Sequence, residues 1–210
     1  PNDYPDMPSS LMHIYLIEAG PRLLAGMSEE SSAHAEQFPR EMGVNILLNK
    51  RVVDYRDHKV VLEDGTEIAT RTFIWVSGVT GVTIGNLDAS LIGRGGRIKV
   101  DSFNRVEGMN NVFAIGDQCI QLADENYPNG HPQLAQVAIQ QGELLAKNLV
   151  RMEKGREMKP FHYRNLGSMA TVGRNRAVAV CSKVKRQGWF AWVMWLAVHL
   201  RSILAVLSKV

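Results

Sequence analysis

Between Asn111 and Gly142 the chain carries an apolar run, "NVFAIGD", that closes on Gly116-Asp117, and after a polar interval it opens a helix at "HPQLAQVAIQQG". Such a run, rich in β-branched and aromatic residues, predicts a strand whose carboxyl end meets a turn. Gly116 has no Cβ and lets the backbone come close to a bound molecule, while Asp117 can accept hydrogen bonds from the hydroxyls of a sugar or another polyol. Pro132 and Gln133 are predicted in the first turn of the following helix. There the missing proline N–H costs nothing, and the remaining N–H groups, with the positive end of the helix dipole, favour an electron-rich ligand. A purely structural strand-turn-helix with a solvated Asp fits the same spacing, since Gly-Asp pairs are common turn signals.

Composition narrows the field. With 45% hydrophobic and 21% charged residues over 210 positions, the chain can bury one substantial core or two smaller lobes, and disorder is disfavoured. The formal net charge is only +3. Lys183, Lys185 and Arg186 stand just before an apolar stretch, a placement that suits anionic lipid head groups better than nucleic acid. The two cysteines, Cys119 and Cys181, form no C-x-x-C pair, which argues against a zinc cage or a local redox dithiol and for free thiols in a reducing compartment. No Ser-His-Asp set, paired carboxylates or metal-spaced histidines stand out, so no metal and no acid-base side chain is assigned. His131, a histidine before a proline in a loop, is expected at the surface.

Met12 to Glu18 reads as a buried strand ending in an acid and then Gly20-Pro21. Ser28 to Met42 suits a helix capped by Ser28 or a nearby serine, with Pro39 expected to kink or end it early and Gly43 to release the chain. "VNILLNKRVVDY", "KVVLEDGTEIA" and "RTFIWVSG" predict a small β-meander with a turn at Asp64-Gly65. Gly81 to Asp101 is Gly-rich and reads as a crossover that ends in a short strand near Ile98 to Val100. Gln118 to Gly130 reads as a polar loop.

Taken in order, these pieces resemble the type II, non-proton-pumping NADH dehydrogenases. "VFAIGD" with "PQLAQVAIQQG" is similar to that family's flavin-closing motif. "DYP" at Asp3 to Pro5, "IYLIEAGPRLL" at Ile14 to Leu24, "MGVNILLNKRV" at Met42 to Val52, "FIWVSGV" at Phe73 to Val79 and "YRNLGSMATVGRNRAVA" at Tyr163 to Ala179 extend the likeness over nearly the whole chain. The resemblance implies an α/β fold, part of a two-dinucleotide-binding-domain (Rossmann-like, FAD/NAD(P)-binding) flavoprotein with a small β-meander and a C-terminal amphipathic helix. It implies NADH as co-substrate, FAD as cofactor and a membrane quinone as acceptor. Gly116, Asp117, Gln133, Leu134 and Ala135 are the implied FAD residues, and Glu18 and Gly78 the other dinucleotide contacts. Glu18 would bind ribose hydroxyls and repel the 2′-phosphate of NADP, although without the resemblance a solvent-exposed strand-end Glu is the favoured reading. Ala135 and Gln136 would meet the quinone, the glutamine amide donating to a quinone carbonyl. Two other readings stay open: a soluble flavoprotein disulfide or ferredoxin reductase, and a non-catalytic membrane or dimerisation module.

The chain opens at Pro1 in the middle of a nucleotide-binding pattern and contains neither of the G-x-G-x-x-G turns that the family carries, so it reads as a C-terminal fragment. The expected parts are 1–78 from the NADH-binding domain, 79–182 from the FAD-binding domain, and 183–210 as a membrane-associating helix. That last stretch, "GWFAWVMWLAVHLRSILAVLSKV", has an uninterrupted apolar run too short to span a bilayer, while its tryptophans suit an interfacial position. The expected location is peripheral, on the cytoplasmic face of the cell membrane, with a homodimer in the complete protein and no nucleic acid partner.

Overall fold

The computed structural model describes residues 12–82, 84–173, 175–181 and 184–207; the "DYP" segment and Lys183 lie outside them, as do the side chains of Cys181 and Lys185. In chain order the elements are β1 (Tyr15–Ile17), α1 (Glu29–Glu41), β2 (Asn45–Leu47), β3 (Val52–Arg56), β4 (Lys59–Leu62), β5 (Glu67–Ala69) and β6 (Ile98–Val100). There follow β7 (Cys119–Gln121), α2 (Ala135–Glu153), β8 (Ser168–Thr171), β9 (Ala177–Cys181), β10 (Val184–Gln187) and α3 (Gly188–Leu207). They form two compact units, one of Pro1–Ile74 with Leu166–Val210 and the other of Trp75–Asn165.

In the first unit β1 and β2 pair in parallel, Leu16 opposite Ile46, and α1 is the crossover that parallel pairing requires. Ser28 caps α1 by accepting the Ser31 N–H, and Glu29 and Glu30 place negative charge at the positive end of the helix dipole. Leu23, Ala35 and Ile46 close the core beneath it. Pro39 does not end the helix early. It sits in the last turn, where only its own N–H bond is forfeited and two helical residues follow; its carbonyl accepts from Met42, and Gly43 at φ 85° then turns the chain out. Arg176 pairs with Glu41 at 2.6 Å and lies over the Phe38 ring, fastening α1 to the loop between β8 and β9.

The meander is antiparallel in the order β3-β4-β5. Its first turn uses Asp57 and His58, both at positive φ, which the hairpin twist demands and which no Gly announces in the sequence. Its second turn is the expected Asp64-Gly65. The third strand, however, is Glu67–Ala69 and not the apolar "RTFIWVSG". The Thr70 hydroxyl accepts the Thr72 N–H at 3.1 Å and bends the chain off the ladder, leaving Ile74 and Val76 exposed. The other sheet of this unit runs β10-β9-β8, and α3 packs on it through a cluster of Ala177, Ala179 and Ala191 with Met169 and Trp192. Farther along α3, Leu200, Ile203 and Leu204 are exposed, as is Trp189 at its start. Among the described residues no helix is long and apolar enough to cross a membrane.

In the second unit β6 and β7 are parallel, and Ile98, Val100, Val106, Ala114 and Cys119 form the core. The "NVFAIGD" run is extended chain rather than a regular strand. It pairs on one side only, through Val106 N–H to the Val112 carbonyl and Ala114 N–H to the Asn104 carbonyl, with a single bridge between Arg105 and Phe113. The regular strand, β7, comes after the Gly-Asp turn, inside the stretch read as a loop, and all three of its residues are buried.

α2 buries Val137, Gln141 and Asn148. Against it lies the extended segment 159–164, held by amide side chains instead of a sheet. Asn148 donates to the Lys159 carbonyl at 2.8 Å and accepts the Lys159 N–H at 2.9 Å; Gln140 does the same for Arg164 at 2.9 and 3.0 Å. The pairing of 148 with 159 and of 140 with 164 makes the segment antiparallel to the helix.

Candidate functional site

The Gly116–Gln118 turn is a single 3-10 turn that follows extended Ile115. Gly116 takes φ 65°, a conformation that favours glycine, and a Cβ built there would stand 3.2 Å from the Cβ of Ala138 on α2. Its N–H donates to the side-chain oxygen of Gln141 at 2.7 Å. Asp117 is exposed at the head of this turn.

The chain entering α2 differs from expectation. Leu134 is the N-cap residue and Ala135 the first helical one, so Pro132 and Gln133 precede the helix instead of filling its first turn. No side chain caps this end; Leu134 and Ala135 are exposed and Gln136 is half-buried. Gln133 turns its amide to the Asp117 carbonyl at 3.1 Å, so the Gly-Asp turn and the helix entry, fourteen or more residues apart in sequence, are bonded to each other. Of the three α2 glutamines, Gln140 bonds the backbone of Arg164 and Gln141 accepts the Gly116 N–H, while Gln136 lies in the first turn of the helix.

His131 is not at the surface. It is only 2% exposed, its Nε2 lies 2.9 Å from Asp124 Oδ2, and the rings of Tyr127, Phe161 and Tyr163 surround it at 5.1, 5.2 and 5.8 Å between centroids. The hydrogen bond from His131 holds the Asp124 carboxyl below its ordinary pKa, and burial pushes the Tyr163 hydroxyl up. Tyr127 lies close by in the polar loop, but Phe161 and Tyr163 lie beyond α2, too distant in sequence for a local reading to connect.

Arg97 is the residue the sequence did not single out. It is 9% exposed, and its guanidinium donates from Nε to the Cys119 carbonyl at 2.7 Å and from Nη2 to the His131 carbonyl at 3.1 Å. Burial lowers its pKa, and the neighbouring Asp117 carboxylate acts in the opposite direction. The available signal was a charged residue leading the alternating strand "RIKVD", directly before a buried isoleucine.

In the first unit Glu18 follows β1 and lies at the carboxyl end of the parallel pair. Its Oε1 accepts the Gly20 N–H at 2.7 Å. Gly78, in the second unit, has φ 80° and open space around it, so its backbone conformation and not a close neighbour calls for glycine.

Parallel strand pairs, a crossover helix, an acid at a strand end and a Gly-Asp turn bonded to an uncapped helix entry define an α/β Rossmann-like oxidoreductase of the FAD/NAD(P)-binding type. The chain belongs to the pyridine nucleotide-disulphide oxidoreductase family, whose model matches residues 9–142. It is 34% identical over 200 residues to the type II NADH:quinone oxidoreductase NdhA of Mycobacterium tuberculosis, covering 89% of this chain and 41% of that protein. It is 30% identical over 176 residues to the type II NADH:quinone oxidoreductase of Haemophilus influenzae, covering 83% of this chain and 39% of that protein. Among solved structures, NDH2 from Plasmodium falciparum in complex with NADH superposes with a TM-score of 0.80 at 18% identity, over 91% of this chain and 55% of the other. The chain thus spans about half the length, or less, of these relatives.

Proposed function

We propose that this chain supplies the flavin-closing and acceptor-facing part of a type II NADH:quinone oxidoreductase, peripheral to the cytoplasmic face of the membrane and dimeric in the complete protein. The observation that carries the reading is the bonded pair of Gly-Asp turn and uncapped helix entry, in a chain whose similarity runs to proteins of that name. FAD, when bound, would supply the hydride and electron chemistry that links NADH to a quinone.

The residues present fit FAD. Asp117 is exposed at a turn where Gly116 removes side-chain bulk, so its carboxylate can take the ribityl hydroxyls. The backbone at Leu134 and Ala135, at the positive end of a 19-residue helix with no capping side chain, suits the pyrimidine edge. Gln133 donates one amide N–H to the Asp117 carbonyl, which ties the site together, and its second N–H and its carbonyl suit a contact to the flavin. Ala135 leaves room for a flat acceptor, and Gln136 offers an amide N–H to a quinone carbonyl. Glu18, with one oxygen on Gly20, keeps the other for ribose hydroxyls, a preference for NADH over NADPH.

The test is spectroscopic. In the full-length protein, an FAD absorption band should bleach on anaerobic mixing with NADH and return when a quinone is added; a protein that stays colourless with added FAD would remove the proposal.

Membrane association rests on α3. Trp189, Leu200, Ile203 and Leu204 share one helical stripe, since their spacings of 11, 14 and 15 residues bring them to the same side, and all four are at least half exposed. A stripe of this kind, following a basic stretch, suits the head-group region. Pelleting with anionic liposomes should therefore be salt-sensitive and weaken about ten-fold or more for Leu200→Glu with Leu204→Glu, because each buried leucine contributes on the order of 1.5–3 kcal/mol. Binding that ignores both substitutions would sink the assignment to α3.

A further inference from the structure

Four hydrogen bonds from three side chains join the two halves of the proposed flavin site, and the central two come from a buried charge. Gln141 holds the Gly116 N–H, Gln133 reaches the Asp117 carbonyl, and between them Arg97 spans from the carbonyl that opens β7 to the carbonyl of the residue before Pro132. His131 itself cannot shift to follow a loosened contact, because Asp124 and three aromatic rings hold its side chain. Arg97 therefore bridges two anchored points.

Its charge is the second observation. A guanidinium this buried is ordinarily balanced by a carboxylate, since desolvating an isolated cation is costly. Among the described residues Arg97 makes no ion pair; its hydrogen bonds go to neutral carbonyls, and Asp117 acts on it only as a neighbouring charge. An unbalanced cation behind a ligand site favours a ligand that gains electron density.

We propose that Arg97 is a positioning residue of the flavin site: it sets the separation between the Gly116-Asp117 turn and the entry to α2, and its fixed charge favours the electron-rich, reduced form of the ligand. The inference rests on the reading above that this site takes FAD. A lysine keeps the charge but cannot span two carbonyls with a planar fork, whereas a glutamine loses the charge and keeps one donor group.

Arg97→Lys and Arg97→Gln, made in the full-length protein, separate the two roles. FAD affinity is read by titrating the apoprotein, the flavin midpoint potential by equilibration with reference dyes, and apoprotein stability by melting. Both variants should bind FAD about ten-fold or more weakly, the loss expected for hydrogen bonds from a charged donor. The midpoint potential should become more negative in Arg97→Gln and stay near wild type in Arg97→Lys. Should Arg97→Gln fail to fold, the combination of weakened affinity and retained potential in Arg97→Lys carries the test. Wild-type affinity and potential in the folded variants, with only the melting point lowered, would overturn the proposal and leave Arg97 a structural residue. A wild-type protein that takes up no FAD would overturn the flavin reading along with it.

Discussion

Replacing Gln136 by alanine in the flavin-saturated, full-length protein is expected to slow quinone reduction about ten- to a hundred-fold while flavin reduction by NADH stays within about two-fold of wild type. The estimate follows from losing one hydrogen bond to a carbonyl that gains negative charge as it is reduced. Gln136 is singled out by its place in the first turn of α2, two residues after the Leu134 cap, whereas Gln140 and Gln141 lie deeper in the helix and bond Arg164 and Gly116. Stopped-flow measurement of the two half-reactions separates the outcomes. Equal loss in both would place the glutamine in flavin binding and not at the acceptor.

The second large effect is on stability. Asn148→Ala should destabilise the protein by about 2–3 kcal/mol, because a 1% exposed amide is lost along with both of its bonds to Lys159, and the backbone groups it served lose their partner. For a chain of this size that corresponds to a fall in melting temperature of roughly 5–10 °C. Gln140→Ala removes the same pair of bonds from a half-buried residue whose bonds are open to water, and should cost about 1 kcal/mol or less. Similar losses for the two substitutions would show that burial does not set the cost here.

Local signals that depend on neighbouring residues were legible. Ser28 announces α1 because a hydroxyl before two acids caps a helix whatever lies around it, and Asp64-Gly65 announces a turn because Gly alone relaxes there. The Gly116-Asp117 turn and the helix after it were visible for the same reason. What escaped depends on partners distant in the chain. "NVFAIGD" and "RTFIWVSG" have strand composition, but a strand exists only where a ladder forms; the first pairs on one side and the second is turned away at Thr70. His131 looked like a surface residue because its aromatic wall is assembled from both sides of α2. Arg97 looked like an ordinary charged position because its two carbonyl partners lie 22 and 34 residues away.

Gly116 and Ala138 meet where the Gly-Asp turn rests on the flank of α2. Together they act as a depth stop. The helix can settle only as far as a bare α-carbon facing a methyl group allows, and any bulkier pair would lift its first turn away from Asp117. Gln136 sits two residues before Ala138 on that same turn of helix, so the reach of the amide proposed to meet the acceptor is set by two residues with almost nothing beyond the backbone.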